Sequence, residues 1–393
     1  MPKRMLRAML LLGAGMLPAM GMAQTAPAPA PMTAEQRAKL SRAAAEILFW
    51  PDAVRSRNFR AMETVFPGTT AKASNVVRLL PKGQPLAMDA ARIDAFMAAN
   101  NVAGLIVVQD GKVREERYGL GMTAQDRWTS FSVAKSFTST LVGAAVKDGK
   151  IASLDDPVVR YVPELKGSGY DRVTVRQVLT MTSGVRWNED YTNPDSDVAR
   201  MALATAPEGQ DPMVAYLARL PSEAEPGTKW VYKTGETNLI GIIVERATGR
   251  RLSDYAQEKI TGPAGFEGDL FWMTDLTGQN IGRCCLSVRL RDYARMGLFA
   301  LEGGKGQVPD GWFAEAGKEQ ASIGSLPGFG YGYQWWTYPD AFGAQGIFGQ
   351  SIVIVPDRKL VIAMIANWPK ATGQDLRLAQ LQFMAEISAA AAN

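Results

Sequence analysis

Trp128-Thr-Ser-Phe-Ser132-Val-Ala-Lys135-Ser-Phe137 places a serine and a lysine three residues apart at the start of a helical pattern, in a chain of 393 residues with no histidine. Phe137, Leu141, Ala144 and Ala145 continue the pattern at i, i+4, i+7 and i+8, the period of a helix with one buried face. At that spacing Ser132 and Lys135 share a side of the helix. Val133, Ala134 and Phe137 around them are apolar, so the turn is expected to be buried. Burial disfavours an ammonium and lowers a lysine's pKa, leaving a free amine able to take a hydroxyl proton. Without histidine, a Ser-His-Asp triad and every His-ligated metal site are excluded. The nearby helix start also offers backbone N–H groups to a developing oxyanion.

Working outward, strands precede and follow this helix. Leu105 to Gln109 and Val113 to Tyr118 flank Asp110-Gly111, a strong hairpin signal. Val173 to Thr182, Leu239 to Ala247 (closed by Gly249) and Arg289 to Leu301 read as helices. Tyr331 to Tyr338, Ser351 to Val355 and Leu360 to Ala366 read as strands, with a turn at Pro356-Asp357, and Leu376 to Ala391 as a closing helix. The order predicts an α+β fold: an antiparallel sheet from N- and C-terminal segments with an all-helical lobe inserted. Thr33 to Phe49 reads as another helix, with Thr33 as N-cap and Gln36 three residues later. Pro51 to Leu86 is expected to be irregular structure packed on the main body.

The composition, 47% hydrophobic and 21% charged, is that of a globular protein with a sizeable core. Lys3, Arg4 and Arg7, an apolar run from Ala8 to Met20, and Gly21-Met22-Ala23 have the layout of a signal peptide. Residues 1–23 are therefore expected to be removed on export to the periplasm or medium, with 24–32 an Ala/Pro linker and no lasting membrane anchor. Their loss lowers the net charge from +4 to +1, which leaves no electrostatic footprint for nucleic acid. Cys284 and Cys285 are the only cysteines. Adjacent Cα atoms lie about 3.8 Å apart, short for an unstrained disulfide, so free, half-buried thiols are expected.

A Ser-x-x-Lys spacing carries weight only through its context. Here the context is ordered: Asp148-Gly-Lys-Ile-Ala-Ser-Leu-Asp-Asp-Pro157, Val178-Leu-Thr-Met-Thr-Ser-Gly184, Trp230-Val-Tyr-Lys-Thr234, Leu286-Ser-Val-Arg-Leu-Arg-Asp-Tyr-Ala-Arg-Met-Gly297 and Gly346-Ile-Phe-Gly-Gln350 through Asp357. With the Ser132 stretch, this series resembles the penicillin-recognising serine hydrolases. These include class C β-lactamases, DD-peptidases, related esterases and 6-aminohexanoate-dimer hydrolases. The resemblance implies the β-lactamase/transpeptidase-like fold over residues 92–393. Residues 92–127 and 286–393 would form the α/β part, 128–285 the mainly helical part, and 33–91 an N-terminal extension packed on the core.

Carried over by position, the resemblance makes Ser132 the acylated nucleophile, Lys135 its general base and Tyr232 the relay that protonates the leaving group. The neighbouring ammonium is expected to lower the pKa of that phenol. The backbone N–H groups of Ser132 and Ile347 would form the oxyanion hole. Trp187-Asn-Glu-Asp-Tyr191 is similar to a substrate-closing loop of the 6-aminohexanoate-dimer hydrolases, so Tyr191 and Trp187, with Gln345 and Gly346, are candidate substrate contacts. No metal or organic cofactor is implied; the partner is a small-molecule ester or amide.

The departures bear on the substrate. Thr234 stands where β-lactamases carry Asn, and Ala344-Gln345-Gly346 where they carry Lys-Thr-Gly, removing the usual partner of a lactam or peptide carboxylate. Lys233-Thr-Gly235 precedes a helix instead of lying on a late strand, and is read as coincidental. Ala202 falls where the dimer hydrolases place the aspartate that binds an amino end; Asp195 or Asp197 could substitute. A small ester ranks first, a linear amide of the 6-aminohexanoate-dimer type second, and a β-lactam or D-Ala-D-Ala peptide third. A non-catalytic periplasmic binding protein of the same fold is the reading from another class.

Overall fold

The computed structural model describes residues 33–324 and 328–392. The signal-peptide and linker assignments to 1–32 lie outside them. Among the described residues no helix is long and apolar enough to cross a membrane.

The main sheet has eight strands, all antiparallel. In spatial order they are Lys112–Tyr118, Val102–Gln109, Leu360–Ala366, Ser351–Val355, Ala341–Gln345, Trp336–Tyr338, Gly330–Tyr331 and Ala321–Ser322. N-terminal and C-terminal segments thus build one sheet, and residues 130–269 between them contain no named strand. Asp110 (φ 49°) and Gly111 (φ 75°) both adopt left-handed backbone at the first hairpin, the requirement of a tight two-residue turn.

Alternation along Leu360–Ala366 shows why this sheet is central. Leu360, Ile362 and Met364 face one apolar cluster, with Phe96 and Phe383 from two covering helices, Ala90–Ala99 and Gln374–Ala390. Val361, Ala363 and Ile365 face the larger cluster on the opposite side, which holds the Leu290–Leu301 helix and the core of the helical lobe. A strand buried on both faces reads as a continuous apolar run, as this one does.

A second sheet of four strands, in the order Gly68–Ala71, Leu270–Met273, Leu286–Arg289 and Arg127–Thr129, joins the start of the chain to both ends of the lobe. Pro51 to Leu86 is therefore more ordered than its composition suggests: it carries the Asp52–Arg60 helix and a strand of this sheet. The expected Tyr331–Tyr338 strand is broken into two short strands by a turn in which Gln334 takes φ 62°. Gln334 is held there by its side chain, which donates to Leu179 O (2.8 Å) and accepts from Thr237 Oγ1 (2.6 Å). The expected Val173–Thr182 helix is confined to Val175–Leu179, opened by a reciprocal cap between Thr174 and Gln177.

The cysteines differ from expectation. Cys284 and Cys285 are joined in a disulfide between neighbours, with Cα atoms 3.3 Å apart. The backbone contracts below ordinary neighbour spacing, and this brings the two sulfurs together.

Candidate active site

Ser132 sits in a single tight turn, Phe131–Val133, that runs straight into the Ala134–Lys147 helix. That helix is buried from Ala134 to Ala145 even though half its first turns are hydroxylic. Its hydroxyls are matched to carbonyls of the surrounding walls. Ser136 donates to Gln334 O (2.7 Å), Thr138 to Gly282 O (2.6 Å) and Ser139 to Tyr333 O (2.6 Å). Buried donors satisfied in this way fix the helix against sliding or rotation.

The fixed helix brings Lys135 Nζ to 3.2 Å from Ser132 Oγ and to 3.0 Å from Arg283 O. Lys135 is 2% exposed. Burial pulls its pKa from 10.5 to about 7; the Glu189 charge opposes the fall and the Arg283 charge assists it. Near neutral pH a large fraction of the amine is free to accept the serine proton.

Tyr232 closes the set. Its ring lies 5.3 Å from Lys135 Nζ, is stacked on Trp336 at 5.7 Å, and is flanked by Tyr331 at 6.2 Å. The expected lowering of its pKa by a neighbouring ammonium is not found. Burial first, and then the Glu189 charge, push the phenol well above its ordinary value. Raised in this way, the Tyr232 phenol keeps its proton near neutral pH.

The segments carrying the two candidate oxyanion donors meet through packing. Phe131 (φ 43°) precedes Ser132, and Phe348 (φ 58°) follows Ile347, both in left-handed backbone. Strained backbone of this kind persists only where surroundings over-determine it. The two rings lie 5.4 Å apart, and Phe59 packs against both, at 5.0 and 5.3 Å. Arg55 lies over Phe348 at 5.0 Å and donates to Asn367 Oδ1 at 2.7 Å. Gly346 approaches so closely that a Cβ there would stand 2.6 Å from Ser130 O. That proximity requires glycine and keeps Ile347 beside the serine turn.

A cavity of about 330 Å³ opens over Ser132 and Lys135. Ile347, Tyr191, Ala202 and the Cys284–Cys285 pair line it, and Leu40, Ala44, Ile47 and Leu48 supply a wall from the N-terminal segment. Trp187, Gln345 and Gly346 are not among the lining residues. Trp187 packs on Gly235 and donates to Glu189, Gln345 donates to Tyr338, and Gly346 O accepts from Arg377 at 3.0 Å. Asp195 pairs with Arg200 (2.8 Å), and Asp197 accepts from Asn188 N (2.7 Å) and Tyr216 OH (2.7 Å); neither lines the cavity. Lys233 is buried just before the Thr234–Thr248 helix, 3.1 Å from Ser183 Oγ and 3.5 Å from Glu236, away from any late strand.

Glu189 is the residue the sequence reading passed over. Its carboxylate accepts from Trp187 Nε1, Tyr191 OH (2.6 Å), Thr234 N (3.0 Å) and Thr234 Oγ1. It ties the 187–191 loop to the helix that starts two residues after Tyr232. The acid between two aromatics is visible in the sequence, but no spacing connects it to Thr234.

The beta-lactamase family model matches residues 90–385, three quarters of the chain. The chain belongs to the beta-lactamase family of serine hydrolases. Within this family it is 31% identical over 283 residues to the 6-aminohexanoate-dimer hydrolase of Paenarthrobacter ureafaciens, covering 67% of this chain and 72% of that one. A 6-aminohexanoate-dimer hydrolase candidate from Bacillus anthracis superposes with a TM-score of 0.74 at 23% identity, over 85% of this chain and 93% of that one. A class C beta-lactamase superposes with a TM-score of 0.54 at 20% identity, over 74% and 93%. These two share the fold. The β-lactamase/transpeptidase-like architecture expected from the motifs is thus the one found.

Proposed function

We propose that this protein is an exported hydrolase that cleaves a small ester through an acyl-enzyme on Ser132. The observation that carries the reading is the buried Lys135 amine at 3.2 Å from Ser132 Oγ, with burial holding its pKa at about 7. Lys135 takes the Ser132 proton as the oxygen attacks the carbonyl. The N–H groups of Ser132 and Ile347 receive the oxyanion. Tyr232 donates a proton to the leaving group and is reprotonated from the Lys135 ammonium. Water, deprotonated by the same amine, then releases the acid. Export rests on the basic and apolar leader of residues 1–23.

A linear amide is the second reading. It is favoured by the relationship to 6-aminohexanoate-dimer hydrolase and by Tyr191 in the cavity wall. A lactam ranks lower because Ala344-Gln345 ends the strand where a lysine would meet its carboxylate.

The test is labelling and turnover together. A fluorophosphonate probe should label the wild type and not Ser132→Ala, and p-nitrophenyl acetate turnover should fall about 10²–10⁴-fold in Lys135→Ala, the usual worth of a general base. Labelling that survives loss of Ser132 refutes the assignment. Labelling without turnover of any ester or amide would make the protein a binding protein of this fold.

A further inference from the structure

The cavity over Ser132 is walled mainly by apolar side chains, yet an arginine is among the residues that line it. Arg283 lines the cavity, and its backbone oxygen accepts from Lys135 Nζ at 3.0 Å, so the side chain starts next to the reacting pair. Its Nη1 is sealed from solvent and has no hydrogen-bond partner. Among the described residues its guanidinium forms no hydrogen bond and no ion pair.

The buried arginines Arg295 and Arg55, and the half-buried Arg377, are committed. Arg295 bonds Asp292 (2.7 Å) and Glu267 (3.2 Å), Arg55 bonds Asn367 (2.7 Å), and Arg377 donates to Gly346 O (3.0 Å) while stacking on Trp368. Nearby carboxylates do not serve Arg283. Glu189 is saturated by Trp187, Tyr191 and Thr234. Asp275, which also lines the cavity, accepts through Oδ1 from Thr277 N (2.8 Å), Thr277 Oγ1 (2.6 Å) and Gln279 N (3.1 Å). A buried unpaired charge is expensive, and a guanidinium is shaped to accept a carboxylate through two parallel bonds.

We propose that Arg283 binds a carboxylate carried by the substrate, so that the preferred substrates are anionic: an apolar chain with the scissile carbonyl at Ser132 and a carboxylate at the guanidinium. The site replaces, from a different element, the cation absent at Ala344-Gln345. It rests on the serine-hydrolase reading and specifies its substrate class.

The test uses the purified full chain and matched esters. Mono-p-nitrophenyl succinate, glutarate and adipate are compared with p-nitrophenyl butyrate, valerate and hexanoate, and with the cationic p-nitrophenyl 6-aminohexanoate. At one chain length the half-ester should exceed its neutral counterpart by about tenfold or more in kcat/KM, the worth of a hydrogen bond to a charged group. Arg283→Gln should remove that ratio, and Arg283→Lys, a point charge without the fork, should keep part of it. Equal rates for neutral and anionic esters at every length in the wild type overturn the proposal whatever the variants do. So does a preference for the cationic ester, which would hand control to Asp275, or a ratio that survives Arg283→Gln. Failure of all esters together with loss of Ser132 labelling would instead sink the hydrolase reading and this proposal with it.

Discussion

Lys135 is where residue chemistry and stability oppose one another. With its folded pKa at about 7 and 10.5 as the ordinary value, the free-amine fraction climbs through neutrality. The kcat/KM for a neutral ester should therefore rise tenfold per pH unit below about 7 and level off above it. A profile flat from pH 5 to 9 would remove Lys135 as the base. The unfolded chain binds this proton more readily than the folded one between the two values, so stability rises as pH climbs from 7 to 10.5. The burial cost is fully present below 7 and gone above 10.5. Lys135→Met should then raise the Tm more at pH 6 than at pH 10 while abolishing turnover, read by thermal melts at both pH values. Tyr232 has the opposite character. As a neutral phenol it matters most where the leaving group needs a proton. Tyr232→Phe should lower kcat on an amide by about 10²-fold or more and much less on a p-nitrophenyl ester, whose anion leaves unaided. Equal losses on both would deny it the donor role.

At the scale of elements, the proposed oxyanion hole is braced by the Asp52–Arg60 helix. Phe59, fully buried on the Asp52–Arg60 helix, wedges the Phe131 and Phe348 rings. Phe59→Ala should cost about 3–5 kcal/mol of stability, and at temperatures where the variant is folded its kcat should fall with little change in KM. A KM effect alone would place the helix at the substrate instead. This bracing was not legible beforehand, and the reason is physical. Ser132, Lys135, Tyr232 and Ile347 stand in ordered local motifs whose spacing survives in the sequence. The Asp52–Arg60 helix has a weak apolar face, and the Phe131 and Phe348 rings on which it packs lie far downstream in the chain. The broken Tyr331–Tyr338 strand failed for a related reason: its residues alternate like a strand, but a tertiary bond from Gln334 to the Val175–Leu179 helix turns the chain. Ordinary Cα spacing predicts free thiols for the adjacent cysteines, but the backbone there contracts and the pair is a disulfide.

Across the whole molecule, a sheet built from both ends of the chain and an inserted helical lobe could be read from periodicity because Val102–Gln109, Lys112–Tyr118, Ser351–Val355 and Leu360–Ala366 keep an alternation or an apolar run, whereas Ala341–Gln345 and the two-residue strands carry no such signal. What could not be read is which distant segment closes the cavity. Leu40 and Ala44 from the Ala34–Glu46 helix, with Ile47 and Leu48 just beyond it, line the same chamber as Val198, Ala199 and Ala202 of the Asp197–Ala202 helix. An apolar wall there gains energy only from substrate atoms long enough to reach it, at about 0.8 kcal/mol, or roughly fourfold in kcat/KM, per buried methylene. Removing residues 1–48 should therefore flatten the chain-length dependence of p-nitrophenyl ester hydrolysis. The full chain should gain severalfold per carbon until the chamber is filled, and the truncated chain little beyond acetate. Fluorophosphonate labelling of Ser132 in the truncated chain checks that the catalytic turn is still assembled. If the two chains show the same length profile while both label, the N-terminal wall takes no part in selecting the substrate.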